Sequence, residues 1–141
     1  MVDQERVDRL RSLVSDDLRQ LAEYRDHGVG PDGDRTELAA TEYFFITAIE
    51  GCARIAQYLI ADEGWAVAES NAEAIRRLGE QNVIDGSTAT AVASAVGFRN
   101  ILVHGYAEVD DHRVTANLEQ LDDLATFVRG VATWLTEQAP D

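Results

Sequence analysis

Apolar residues recur every three or four positions along most of this chain, and no segment shows the strict alternation of a half-buried strand. Val7, Leu10, Val14, Leu18 and Leu21 make one stripe, the pattern of a helix that buries a single face. It runs out near His27-Gly28, and residues 28–33, with three glycines and Pro31, predict a loop. Asp34-Arg35-Thr36-Glu37 has the form of a capping box and opens a second helix. From residue 38 to about 61 that helix is apolar on most of its circumference, so it is expected to be the central one, ended by Gly64.

Ser70-Asn71-Ala72-Glu73 is a second capping box, opening a short helix that carries Ile75 and Leu78. After a break at Asp85-Gly86-Ser87, residues 87 to about 104 predict a fourth, long helix. Gly97 lies within it, at about 1 kcal/mol relative to alanine, and invites a kink or close packing. Residues 106–113 read as a polar connection. A last helix uses Leu118, Leu121, Ala125, Val128, Ala132 and Leu135 before Pro140. The expected fold is all-α, an antiparallel up-and-down helical bundle of four long helices plus one short helix, forming a single domain over residues 1–141.

Composition narrows the setting. A chain of 141 residues, 45% hydrophobic, can bury a core without disulfides or metal. The longest apolar stretch, residues 43–61, contains Glu50 and Arg54 and makes a poor membrane span. With no segment that reads as a signal peptide, a cytoplasmic protein is expected, with no membrane partner. The single cysteine, Cys52, sits inside that apolar stretch and reads as a small buried hydrophobe. His27, His104 and His112 are scattered, without the spacing of metal ligands, so no metal or other cofactor is expected.

The net charge is −14, and all twelve basic residues are arginines. General nucleic-acid affinity comes largely from phosphate neutralisation by basic surface, so this balance argues against it and against DNA in particular. Any contact with RNA must be local and built from a few arginines.

The candidate chemistry lies in Arg99-Asn100-Ile101-Leu102-Val103-His104-Gly105-Tyr106. Arginine is a fixed cation, histidine a proton carrier near neutral pH, and tyrosine a phenol that can donate or be modified. Ile101, Leu102 and Val103 should anchor the segment to the core, and Gly105 should break the helix just after His104. The best reaction for such groups is metal-independent cleavage of RNA. Histidine moves a proton at the 2′-OH or the leaving 5′-oxygen, and arginine neutralises charge on a pentavalent phosphorus. Arg99 and His104 are five apart, about 140° around an ideal helix. One straight helix does not focus them, so a kink, the long arginine stem or a symmetric partner is required.

The run from Gly97 to Tyr106 resembles the Arg-x4-His-x-Tyr signature of HepT-like toxins in the HEPN superfamily. A leucine-striped first helix, Ala48-Ile49-Glu50 at the centre of an apolar second helix, and a heptad-like last helix agree with it. The resemblance implies a ribonuclease toxin that forms a homodimer, with the motifs of both subunits lining a cleft. It implies Arg99 and His104 as the catalytic pair, supported by Asn100. It also implies Tyr106 as the residue that a partner antitoxin, a minimal nucleotidyltransferase using ATP and Mg²⁺, adenylylates. AMP there would exclude RNA by bulk and repulsion.

Glu50, in the buried second helix, needs a cationic or hydrogen-bonding partner. Arg54 one turn away and Arg99 across the bundle are both candidates, and a Glu50–Arg99 pair would orient the guanidinium. Arg76-Arg77 is the one adjacent basic pair, readable as a phosphate or partner contact or as a solvated helix face. A competing function is a non-catalytic binding module that pairs with a nucleotidyltransferase.

Overall fold

Residues 3–104 and 110–138 of a computed structural model are described here. The chain forms α1 (Gln4–Asp26), α2 (Arg35–Glu63), α3 (Asn71–Glu80), α4 (Gly86–His104), α5 (Asp111–Ala116), a 3₁₀ turn (Asn117–Gln120) and α6 (Leu121–Gln138). No strand occurs among the described residues.

The starts of α1, α2, α3 and α5 are each set by a side chain that satisfies amides left open by the first turn. Asp34 accepts from the backbone of Thr36 and Glu37 at the head of α2. Ser70 accepts from Glu73 N–H at the head of α3. The Glu73 carboxylate reaches back to the Glu69 amide, one residue before the cap. Gly64 ends α2 in the left-handed region (φ 71°), where its N–H donates to the Ile60 carbonyl, a conformation that disfavours a side chain.

The four long helices run alternately up and down. The Asp3 amide donates to Asp62 Oδ2, which puts the start of α1 beside the end of α2. Phe45 in the first half of α2 meets Phe98 in the second half of α4, with ring centroids 5.6 Å apart. Trp65, just after α2, meets Trp134 near the end of α6 at 5.8 Å. Helices α2 and α6 therefore point one way, and α1 and α4 the other.

The core runs the length of the bundle. Val7, Val14 and Leu21 of α1 are fully buried, while Leu10 and Leu18 of the predicted stripe are half-buried. Helix α2 is the central one as expected, burying Phe45, Ala48, Ile49, Cys52, Ile55, Ala56 and Leu59. It is the one helix among the described residues long and apolar enough to cross a membrane, but half of that window is buried inside the bundle. Burial pushes the Cys52 thiol up to about 12, as befits an inert core group. The α1–α2 seam closes on Gly51, where a Cβ would lie 2.5 Å from Val14 Cγ2.

Two expectations need correction. Residues 106–113 are not connection throughout: α5 starts at Asp111, capped by Asp110, which accepts from the His112 amide. Val114 is fully buried and pulls this polar segment onto the bundle. Gly97 is not a site of close packing either. It lies on an exposed face of a continuous α4, with nothing within 4 Å of a built Cβ. The last helix starts at Leu121, so Leu118 of the expected stripe lies buried in the preceding 3₁₀ turn. The helix buries Leu124, Phe127, Val131 and Trp134 besides Leu121, Val128 and Leu135, whereas Ala125 and Ala132 are half-buried.

Candidate functional site

Helix α4 carries the motif in its last turns, and its packing decides where each side chain goes. Phe98 and Leu102 are buried and fix the rotation of the helix. That rotation turns Arg99 toward α2 and leaves Asn100, Ile101 and His104 exposed.

Arg99 is held on two sides. One terminal nitrogen donates to Glu50 Oε1 at 2.7 Å, and the other donates to Asn100 Oδ1 at 3.1 Å. The side chain keeps 18% of its surface in water, against 45% for Glu50. Its Nε is buried without a hydrogen-bond partner. Each terminal nitrogen has two N–H groups and spends one on these contacts, so both retain a donor. The result is a fixed cation with spare donors, a geometry suited to an oxyanion.

The partner of Glu50 is thus Arg99 and not Arg54. Arg54 is exposed and makes no ion pair with a described residue. Of Arg76-Arg77, only Arg77 is occupied: it bridges Glu73 and Glu80 and donates to the Ala66 carbonyl. That is a structural brace across the α2–α3 connection, while Arg76 faces solvent.

His104 is the last residue of α4 and is exposed. No hydrogen bond joins it to Arg99 among the described residues, as the 140° separation requires. Within one chain the two groups leave the helix in different directions. Tyr106 lies outside the described residues. No group of three or more His, Cys, Asp or Glu side chains among them could hold a metal.

A groove of about 330 Å³ runs beside the ion pair, between α1 and α2, and includes Asp17, Tyr43, Thr47, Glu50 and Arg54. Thr47 donates to Asp17 Oδ2 at 2.6 Å. Burial raises the Asp17 carboxyl above its ordinary value, and this hydrogen bond partly offsets the rise. Nearby, Glu42 is also raised, chiefly by burial and then by the Asp111 charge, with Arg35 opposing. Asp17 and Thr47 escape a reading centred on the motif. The available signal was Tyr43, Thr47, Glu50 and Arg54, a stripe of polar groups at helical spacing in an otherwise apolar helix.

Comparison with known proteins bears on the family and the fold. A family model described as "Ribonuclease HepT-like" matches residues 5–131. An Archaeoglobus fulgidus protein named "Putative RNase" is 33% identical over 107 residues, covering 74% of this chain and 79% of the relative. Among solved structures, a tri-AMPylated Shewanella oneidensis HEPN toxin in complex with MNT antitoxin superposes with a TM-score of 0.83 at 19% identity, covering 94% of this chain and 99% of that one. The Bacillus subtilis protein YutE, described as a cytosolic protein of unknown function, gives 0.84 at 16% identity, covering 99% and 96%.

Proposed function

The chain belongs to the HepT-like ribonuclease family, and from that premise we propose that it is a toxin of a toxin–antitoxin pair that cleaves RNA without a metal. The observation that carries this reading is the restrained Arg99. A guanidinium held by Glu50 and Asn100, with a donor left on each terminal nitrogen, is ready for a phosphate. The reaction is an internal transesterification. The 2′-oxygen attacks phosphorus, the bond to the 5′-oxygen breaks, and a 2′,3′-cyclic phosphate and a 5′-hydroxyl result. His104 takes the proton of the 2′-OH or supplies one to the leaving oxygen. Arg99 neutralises the charge that develops on the phosphorane oxygens.

Arg99 and His104 of one chain point apart, so the reading includes a cytoplasmic homodimer in which the groups of both copies face one cleft. Tyr106 follows His104 by two residues. Its adenylylation by a nucleotidyltransferase antitoxin, which brings its own ATP and Mg²⁺, would place a phosphate and a nucleoside beside the site and exclude RNA. The AMPylated Shewanella toxin bound to its antitoxin supports this regulation by analogy of fold.

The test is cleavage of a labelled RNA, in the presence of a chelator, by the unmodified protein and by His104→Ala and Arg99→Ala. Each variant is expected to lose about 10²-fold or more in rate, with unchanged dimer mass in light scattering. Wild-type protein that cleaves no faster than His104→Ala would overturn the enzymatic reading.

One observation favours a second reading, a non-catalytic module that presents Tyr106 to the nucleotidyltransferase. The surface is strongly acidic, with a net charge of −14, and seven of the twelve arginines are already in ion pairs with neighbouring acids. Adenylylated Tyr106 in co-expressed material, together with no cleavage by the unmodified dimer, is the outcome that selects it.

A further inference from the structure

A second cavity lies on the other side of the α2–α4 seam from the Glu50–Arg99 pair. Its volume is about 200 Å³, below the roughly 300–1,000 Å³ of sites for drug-sized ligands. Its floor includes Phe45 and Phe98, and its rim Arg113, Asn117, Gln120 and Asp123. Phe98 precedes Arg99, and Ile49 in the same lining precedes Glu50, so the cavity and the ion pair are one residue apart on both helices. Helix α5 and the 3₁₀ turn supply Arg113, Asn117 and Gln120.

From this arrangement we propose that the cavity is a subsite for a single nucleobase, guanine, presented by RNA or by a free nucleotide. The floor is apolar but closed, with Phe45 and Phe98 only 2% and 5% exposed and Arg113 over the Phe98 ring. A base would therefore be held at its edge by the rim, and the size suits a base without its sugar and phosphate. A neutral ligand part also fits the charge balance. The rim carries one arginine and one aspartate, and a phosphate placed in it would be opposed by the acidic surface of the whole protein.

Guanine is selected by the chemistry of that rim. Arginine recognises the paired acceptors O6 and N7 of guanine through its fork of donors. The Arg113 guanidinium lies 5.6 Å from the Phe98 ring centre and makes no ion pair with a described residue, so its donors are available. The Asp123 carboxylate offers two acceptors for the adjacent N1–H and N2–H donors of guanine, a pair that adenine, cytosine and uracil lack. The amides of Asn117 and Gln120 both donate and accept and can complete the edge contacts, although Asn117 Nδ2 also donates to the Arg113 carbonyl at 2.8 Å.

The subsite depends on the RNA-cleavage reading only for the source of the base. The experiment titrates the unmodified protein with GMP, AMP, CMP and UMP, following the backbone amide signals of Phe98 and Gln120 by NMR. GMP is expected to bind about tenfold more tightly than AMP, CMP or UMP, with Asp123→Asn losing that preference, and AMP binding as tightly as GMP would overturn the assignment to guanine. Asp123 is exposed, so this variant should keep the fold. Gln120→Ala, also at an exposed position, is a second such probe and should weaken GMP.

A parallel arm uses RNA oligonucleotides with one guanosine at varied positions, for binding and cleavage. Cleavage sites that track the guanosine assign the base to RNA; GMP binding without such tracking assigns it to a free nucleotide. GMP binding that persists in a protein that cuts no RNA would leave the subsite standing and remove the nuclease reading. Equal affinity for all four nucleotides, or no effect of Asp123→Asn on GMP, would overturn the subsite.

Discussion

At the residue scale, the motif depends on how one arginine is restrained. Glu50 touches Arg99 at 2.7 Å and restrains the direction of its remaining donors, which on the proposed function makes it a positioning residue. The pair is partly in water, so its contribution to stability is on the order of 1 kcal/mol. Glu50→Ala should therefore lower urea-unfolding stability only slightly. It should lower kcat for RNA cleavage by about tenfold or more while KM changes little, because a wandering guanidinium loses transition-state alignment first. A rise in KM alone would assign Glu50 to substrate binding. Arg99 and His104 stood out as candidates by residue type, while a supporting role for Asn100 came only from the family resemblance. The choice of Arg99 over Arg54 as the partner of Glu50 was not, since local spacing favours a neighbour one turn away and says nothing of rotation across the bundle.

At the element scale, two glycines in long helices have opposite roles. Gly51 is where α1 approaches α2, with a built Cβ 2.5 Å from Val14 Cγ2. Gly51→Val should destabilise the protein by about 1–3 kcal/mol, the usual effect of overpacking, read as a lower denaturation midpoint. Gly97 has open space around it, so Gly97→Ala should raise the stability of the isolated chain by up to about 1 kcal/mol. A destabilised Gly97→Ala protein would mean that another chain covers this face of α4. Helix α5 escaped the sequence because six residues are too few to show a periodicity. Its two visible cues were Asp110 as a cap and Val114 as a lone anchor. The long helices were legible because their apolar positions recur over several turns, and α2 and α3 also because capping boxes open them.

At the scale of the whole molecule, charge is the dominant feature. A net charge of −14 makes the folded state repel itself. The short-range pairs along α1, such as Arg6–Asp3 and Arg9–Glu5, relieve only part of this. Raising ionic strength from about 0.01 M to about 0.15 M shortens the Debye length from roughly 30 to 8 Å. The Tm from circular dichroism should rise over that range. A fall would show that the local ion pairs outweigh the long-range repulsion. The same field sets a condition on the proposed function, because any RNA strand would approach against it and gain only where a few arginines are exposed and restrained.

The chain by itself determined that it folds as a helical bundle, roughly where the long helices start and stop, and which residues are candidates for phosphate chemistry. Those properties are local: a cap acts within one turn, an apolar stripe within one helix, and a motif within eight residues. Only the tertiary structure decided that Glu50 meets Arg99, that Gly51 and not Gly97 is the close contact, and that Phe45, Phe98 and Arg113 enclose a cavity. Each of these depends on the rotation and offset of one helix against another. Burial of whole faces sets that register, and no spacing within a single helix encodes it.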